Sequence, residues 1–88
     1  MLKVQERVTM TDTATLLLSE APIGKRVRIR RLSTGPDLSR RLRELGLGEH
    51  ALISCVLKGH GNIICAIQNT RIGIDRRLAS KIVVSTSE

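Results

Sequence analysis

The clearest pattern in this 88-residue chain is the stretch Pro36-Asp37-Leu38-Ser39-Arg40-Arg41-Leu42-Arg43-Glu44-Leu45-Gly46-Leu47. Leu38, Leu42 and Leu45 recur at i, i+4 and i+7, a spacing that places all three on one stripe of a helix, while the charged residues lie off it. We therefore predict one helix over about residues 37–45, with the leucine stripe facing the core.

Both ends of this helix carry local stop and start signals. At the N-terminus, either Gly35 caps the helix with Pro36 as its first residue, or Asp37 caps it directly. At the C-terminus, Gly46 can adopt the left-handed conformation, and Leu47 would then fold back onto the helix. The pattern thus predicts a hydrophobically pinned turn after the helix.

Short strands surround the helix on both sides. Alternating or apolar runs separated by turn residues are typical of strands, and they lie at residues 15–19, 24–32, 52–58, 63–68, 71–74 and 81–84, with a short helical turn near 75–79. The runs 52–58 and 63–68 form a hairpin around a glycine turn. We predict that its most apolar faces point inward, with the two cysteines on the same face: Ile53, Cys55, Leu57, Ile63, Cys65 and Ile67.

The spacing of these elements predicts a mainly β protein. Five to six short strands with a single helix leave no room for repeated parallel crossovers, and a small, bent antiparallel barrel is the simplest way to hide the strand edges. We expect a flexible leader at residues 1–13, one domain at 14–85 and a tail at 86–88. No stretch is long enough for a signal peptide or a membrane span, so the expected location is cytoplasmic.

The charge balance is strongly basic. Fifteen Lys and Arg against eight Asp and Glu give +7, and the cluster of basic residues comprises Lys25, Arg26, Arg28, Arg30, Arg31, Arg40, Arg41 and Arg43. Three interpretations stay open: a solvated surface, a docking face for an acidic protein or the inner membrane leaflet, or a nucleic-acid site. The absence of Phe, Trp and Tyr argues against single-stranded nucleic acid, because those binders stack bases on aromatic rings.

Metal binding and catalysis have weak signals. Cys55, Cys65, His50 and His60 supply ligand atoms, but no CxxC or comparable spacing organises them, so they are weak metal candidates and we expect no cofactor beyond weak or adventitious divalent metal. We expect free thiols. No phosphate-binding GxxxxGK[ST] motif occurs, and the acidic residues are not paired with histidines by spacing. We predict that the protein is not an enzyme.

Several segments in order resemble the ferrous iron transport protein A family, FeoA. They are Arg41-Leu42-Arg43-Glu44-Leu45-Gly46-Leu47, the hairpin, Thr70-Arg71-Ile72-Gly73-Ile74-Asp75 and Ala79-Ser80-Lys81-Ile82-Val83-Val84. The resemblance covers about residues 16–84 and implies an SH3-like small barrel with a helix inserted after an early strand. One departure concerns the family pattern LGLxxG, because Gly48-Glu49-His50 follows Leu47 here. We predict that the glycine has moved to Gly48.

The resemblance also implies a function. Family members are non-enzymatic cytosolic accessory proteins of the ferrous iron permease FeoB, a membrane protein with a GTPase domain, and some recruitment to the inner face of the membrane is expected. We predict partner contacts through the basic strand and helix and the helix-end turn, at Arg28, Arg30, Arg40, Arg41, Arg43 and Leu47. Exposed barrel edges leave a homo-oligomer open.

An alternative function stays open beside the accessory role. The same barrel resembles the C-terminal domain of iron-dependent repressors, so a small basic nucleic-acid-binding or transcription-linked domain is the competing hypothesis. The predicted helix argues against duplex DNA, because it is short and its leucines are assigned to the core.

Overall fold

A computed structural model describes residues 15–86 of the chain. The six strands in chain order are β1 (Thr15–Leu17), β2 (Arg26–Leu32), β3 (Leu52–Lys58), β4 (Asn62–Ile67), β5 (Thr70–Asp75) and β6 (Ile82–Thr86). The helices are a 3-10 turn at Leu18–Glu20, α1 (Pro36–Glu44) and the single-turn α2 (Arg76–Ala79). These elements confirm the predicted mainly β fold with one inserted helix and a short helical turn near residue 75.

The strands form one antiparallel sheet in the order β1-β6-β2-β3-β4-β5. Two irregularities in register bend it, one in β2 between Ile29 and Arg31 and one in β3 between Cys55 and Leu57. The bent sheet encloses a single core of aliphatic and cysteine side chains, including Val27, Ile29, Ile53, Cys55, Ile63, Cys65, Ile82 and Val84. The core therefore lies on the inner face, and the outer face of β2–β5 is available to carry a site.

The helix caps follow the local signals. Gly35 is the N-cap and Pro36 the first helical residue, which settles the two alternatives in favour of the glycine cap. At α2, the Asp75 carboxylate accepts a hydrogen bond of 2.7 Å from the backbone N–H of Arg77. Asp75 therefore ends β5 and starts the last helical turn, as its position in the sequence predicts.

The predicted leucine stripe of α1 is wrong at two of its three positions. Only Leu42 is buried, whereas Leu38 is 36% and Leu45 50% exposed. The other buried position of α1 is Ser39, which donates a hydrogen bond of 3.2 Å to the carbonyl of Thr34. The helix is thus rotated relative to the prediction, because its buried positions are Ser39 and Leu42 and not the full stripe.

The predicted inward position of Leu57 is also wrong. The irregularity after Cys55 adds Val56 to β3, so that Leu57 lies opposite Ile64 and not in alternation with Cys55. One additional residue moves every later side chain to the other face of a strand. Leu57 is therefore 59% exposed. Cys55 and Cys65 share the inner face, as predicted, and the structure makes them direct cross-strand partners.

The last strand extends one residue into the predicted tail. Thr86 lies in β6 and pairs with Val27, and Ser85 pairs with Arg28 and is only 3% exposed. The polarity of Thr86 predicts a tail residue, but backbone pairing within a sheet does not depend on side-chain polarity. The predicted leader at residues 1–13 and tail residues 87–88 lie outside the described residues.

Candidate partner-binding site

The end of α1 reverses the chain within three residues. Gly46 adopts a φ of +93°, the Leu47 N–H donates a 2.8 Å hydrogen bond to the carbonyl of Leu42, and the Gly46 N–H donates one of 3.1 Å to the carbonyl of Arg43. This is the Schellman arrangement, in which the residue after the glycine packs back under the helix. Leu47 is fully buried as a result, and the interior position that Leu45 was expected to occupy is filled.

Leu47 therefore contributes no surface to a partner, which corrects its assignment as a contact residue. Leu45 is half-exposed at the tip of the same turn. The sequence assigned both leucines to buried contacts, Leu47 at the helix end and Leu45 on the core stripe, and the structure buries only Leu47. We call residues 45–50 the helix-end turn.

His50 occupies the position where the family pattern has glycine. Its φ is +76°, in the left-handed region that favours glycine, and its backbone is held on both sides. Its N–H donates to the carbonyl of Ile29 at 2.8 Å, and its carbonyl accepts from Nη1 of Arg28 at 2.8 Å. The prediction that Gly48 replaces the family glycine is therefore wrong, because the left-handed conformation lies at position 50. His50 adopts it although this conformation is unfavourable for a residue with a side chain.

Gly48 has a separate role in this turn. A Cβ at this position would lie 3.0 Å from Cγ of Arg43, closer than ordinary van der Waals contact. The missing side chain lets the turn pass directly beside the Arg43 side chain, which then reaches the carboxylate of Glu49.

Arg43 and Glu49 form a two-point ion pair across the turn. Nε and Nη2 of Arg43 each donate a hydrogen bond of 3.0 Å to one carboxylate oxygen of Glu49. This hydrogen-bonded pairing lowers the pKa of Glu49 to about 2 and raises the pKa of Arg43. Arg43 thereby fixes the turn to the helix, and its positive charge is paired with the carboxylate of Glu49.

The other predicted contact arginines differ in their hydrogen-bond and ion-pair partners. Arg28 holds the backbone of the helix-end turn, because its Nη1 donates to the carbonyl of His50. Arg30 donates from Nε to Oγ of Ser85 at 2.6 Å, so it points along the sheet toward β6. Arg40 pairs with Asp37 at 3.2 Å in an exposed ion pair, which contributes little to stability. Arg41 is exposed.

Several cations keep their charge uncompensated. Within residues 15–86, the ion pairs are those of Arg40 and Arg43. The exposed basic residues that enter neither ion pair include Lys25, Arg26, Arg31, Arg41 and Arg71. Arg26 and Arg71 were not among the predicted contacts; the alternation of β2 did place Arg26 on the outer face.

A groove of about 620 Å³ runs between the helix-end turn and the outer face of the sheet. Leu45 and Glu44 form its helical wall, and Leu52 and Ala66 are apolar residues of its sheet side. Arg26 also lines the groove. A concave surface that combines apolar and charged side chains can serve as a recognition site.

The weak metal candidates do not converge. Cys55 and Cys65 are buried together as free thiols, whereas His50 and His60 are exposed in two different turns. In the described part of the chain, no three His, Cys, Asp or Glu side chains are grouped so as to hold a metal ion. Burial, and secondarily the nearby Cys55 thiol, raises the pKa of Cys65 to about 11, which opposes the thiolate form that metals bind.

No helix among residues 15–86 is long and apolar enough to cross a membrane.

Comparison with known proteins places the chain in a family. The model of the FeoA domain matches residues 16–86. No curated protein sequence matches. The FeoA protein of Chlorobium tepidum shares 24% identity with a TM-score of 0.77, over 83% of this chain and 71% of that one. The zinc-complexed FeoA of Stenotrophomonas maltophilia, described as a prokaryotic SH3 domain protein, shares 27% with a TM-score of 0.67, over 78% and 88%.

A manganese-dependent transcriptional repressor has the same fold at 18% identity, with a TM-score of 0.75 over 86% of this chain and 44% of that one. This likeness concerns the fold alone. The predicted SH3-like fold is confirmed, and because the family model spans nearly all described residues, the chain belongs to the FeoA family, which is linked to ferrous iron transport.

Proposed function

We propose that the protein is a cytoplasmic, non-enzymatic accessory protein of ferrous iron uptake that binds the cytosolic part of the permease FeoB. Family membership supports the link to iron transport. The observation that carries the binding role is the half-exposed Leu45 at the tip of the helix-end turn, beside the arginines of α1. Exposed aliphatic residues with charged neighbours are common at interfaces.

The charge of the chain favours an acidic partner surface. A net charge of +7 speeds encounter with acidic surfaces and draws the protein toward anionic lipid headgroups, so the same charge supports recruitment to the inner face of the membrane. Arg41 and Arg40 lie on α1 near the helix-end turn, and among residues 15–86 the one carboxylate paired with them is the exposed Asp37. We infer that these arginines contact the partner while Leu45 provides the apolar anchor.

The proposal gives the protein no chemistry of its own. Glu49 and Asp37 form ion pairs with arginines, and Asp75 caps a helix. Nucleotide hydrolysis and iron movement therefore belong to the permease, and the accessory protein acts through binding. No resident cofactor is assigned.

A pull-down tests this function. The purified full chain is incubated with the cytosolic part of FeoB from the same organism, with and without guanine nucleotide, at low and high salt. We expect specific retention that salt weakens and that the double change Arg40→Glu, Arg41→Glu reduces. The matched control is Arg77→Glu, Lys81→Glu, which makes the same charge change on exposed residues elsewhere.

Two results would count against the proposal. Clean absence of retention at low salt would contradict permease binding. Equal losses in the test and control variants would show that net charge, and not the helix surface, governs retention. Retention on duplex DNA in place of the permease would favour the transcription-linked alternative, since phosphate binding falls steeply with log salt.

A further inference from the structure

The outer face of the sheet carries a row of four residues that neighbouring strands place side by side. Arg26 of β2 pairs with Ser54 of β3, Ser54 pairs with Ala66 of β4, and Ala66 pairs with Arg71 of β5. Residues directly opposite one another in a sheet share a face. Two small side chains are therefore flanked by an arginine at each end of the row.

The dimensions of this row suit a single acidic group. Three strand spacings of roughly 4.8 Å separate the two arginine backbones by about 14 Å. Neither Arg26 nor Arg71 has an ion-pair partner among residues 15–86. Long arginine side chains can extend inward over the small Ser54 and Ala66, so a carboxylate placed there would meet both guanidinium groups.

An apolar subsite adjoins the row within the same groove. The groove that contains Arg26, Ser54 and Ala66 extends to Leu45 and Leu52 at the helix-end turn. Its volume of about 620 Å³ lies within the range of ligand sites, roughly 300–1,000 Å³. Three members of the row and the apolar subsite therefore line one concave surface, and Arg71 lies next to Ala66 at the far end of the row.

We propose that this groove binds a short protein segment that carries an acidic residue next to a large apolar residue. The carboxylate lies over Ser54 and Ala66 between Arg26 and Arg71, and the apolar side chain packs against Leu45. The inference rests on the proposed function for the source of the segment, which is the cytosolic part of FeoB. A second copy of this chain is disfavoured as the occupant because two molecules of charge +7 repel each other.

The test measures affinity for the cytosolic part of FeoB by calorimetry with three groove variants of the full chain. Arg26→Glu with Arg71→Glu reverses the charges, Ala66→Gln fills the row, and Leu45→Asp removes the apolar anchor. All four residues are half-buried or exposed on the surface, so the fold is expected to persist, which thermal unfolding verifies. We expect each variant to bind about tenfold or more weakly.

Matched controls change the same residue types outside the groove. Arg31→Glu with Arg77→Glu reverses two exposed arginines, and Leu57→Asp alters a leucine that is exposed to a similar degree as Leu45. These controls are expected to bind within about twofold of the unaltered chain, the small residual change reflecting long-range charge.

The outcomes separate the groove from the broader proposal. If the unaltered chain binds and the groove variants match their controls, the groove assignment is overturned while permease binding stands. If the unaltered chain does not bind, both proposals are contradicted. If light scattering shows that the unaltered chain dimerises and that the groove variants are monomeric, the groove binds a second copy and our assignment of its occupant is wrong.

Discussion

The substitution Gly46→Ala tests whether the end of α1 requires the left-handed conformation of this glycine. Its φ of +93° is disfavoured for an L residue, at a cost of about 1–2 kcal/mol. An added Cβ would lie 3.6 Å from Cγ2 of Ile67, an ordinary contact, so sterics add nothing. Alanine also reduces the conformational freedom of the unfolded chain, which stabilises the folded state by about 0.4–1 kcal/mol. The expected net loss for Gly46→Ala is about 1 kcal/mol.

Thermal unfolding followed by circular dichroism measures this loss. For a domain of this size, about 1 kcal/mol lowers Tm by roughly 4–8 °C. The control is Gly61→Ala, the same chemical change at a glycine without positive φ and with open space around its Cβ position. In that variant the unfolded chain also loses conformational freedom, while the folded state gains no strain. We therefore expect it to unfold at the same or a higher temperature than the unaltered chain.

The reverse change at His50 completes the test. His50→Gly removes the left-handed strain but adds freedom to the unfolded chain, for an expected net gain of about 0.5 kcal/mol. The backbone hydrogen bonds with Ile29 and Arg28 do not involve the imidazole and persist. The reasoning is refuted if Gly46→Ala unfolds at the same temperature as Gly61→Ala, or if His50→Gly lowers Tm as much as Gly46→Ala does.

Three further predictions concern the ion pair, the core and the thiols. The pKa of Glu49 is depressed to about 2 by Arg43, so its stabilising contribution is present above its ordinary value of 4.5 and is lost as pH falls toward 2; acid titrations of Tm should be shallower over that interval in Glu49→Gln. Leu42→Ala should destabilise by about 2–5 kcal/mol in denaturant titrations, whereas Leu57→Ala, on the surface, should stay within about 0.5 kcal/mol. Since burial raises the pKa of Cys65 to about 11, its alkylation at neutral pH should proceed only as fast as the domain opens, and rapid labelling of the native protein would contradict its buried position.

Strand and helix positions followed from local chemistry. The Gly35-Pro36 start of α1 and its end at Gly46 are encoded by the conformational limits of those residues, which act within one turn of the chain. The shared inner face of Cys55 and Cys65 followed from alternation around a glycine turn. These signals are local, so an isolated sequence contains them in full.

The groove could not be predicted from local sequence patterns, because its walls come from segments that are distant in the sequence. Arg26 and Arg71 are separated by 45 positions in the printed sequence and are joined only through the registers of three strand pairs. The sequence did identify the arginine surplus, but the pairing of Arg43 with Glu49 depended on the chain reversal at Gly46, which carries Glu49 back beside the helix. The pairing of Arg40 with Asp37 is local, because the two residues lie three positions apart on α1.

By itself, the amino-acid sequence determined the SH3-like barrel, its inserted helix and the basic character of its surface. Only the tertiary structure decided which leucine is exposed. Leu45 and Leu47 flank the same glycine, and the reversal at Gly46 directs Leu47 inward and leaves Leu45 at the surface. Leu57 is exposed because an extra residue in β3 exchanges the two faces of the strand. Periodicity specifies how side chains alternate along an element, but the packing of that element against the rest of the chain determines which side is the inside.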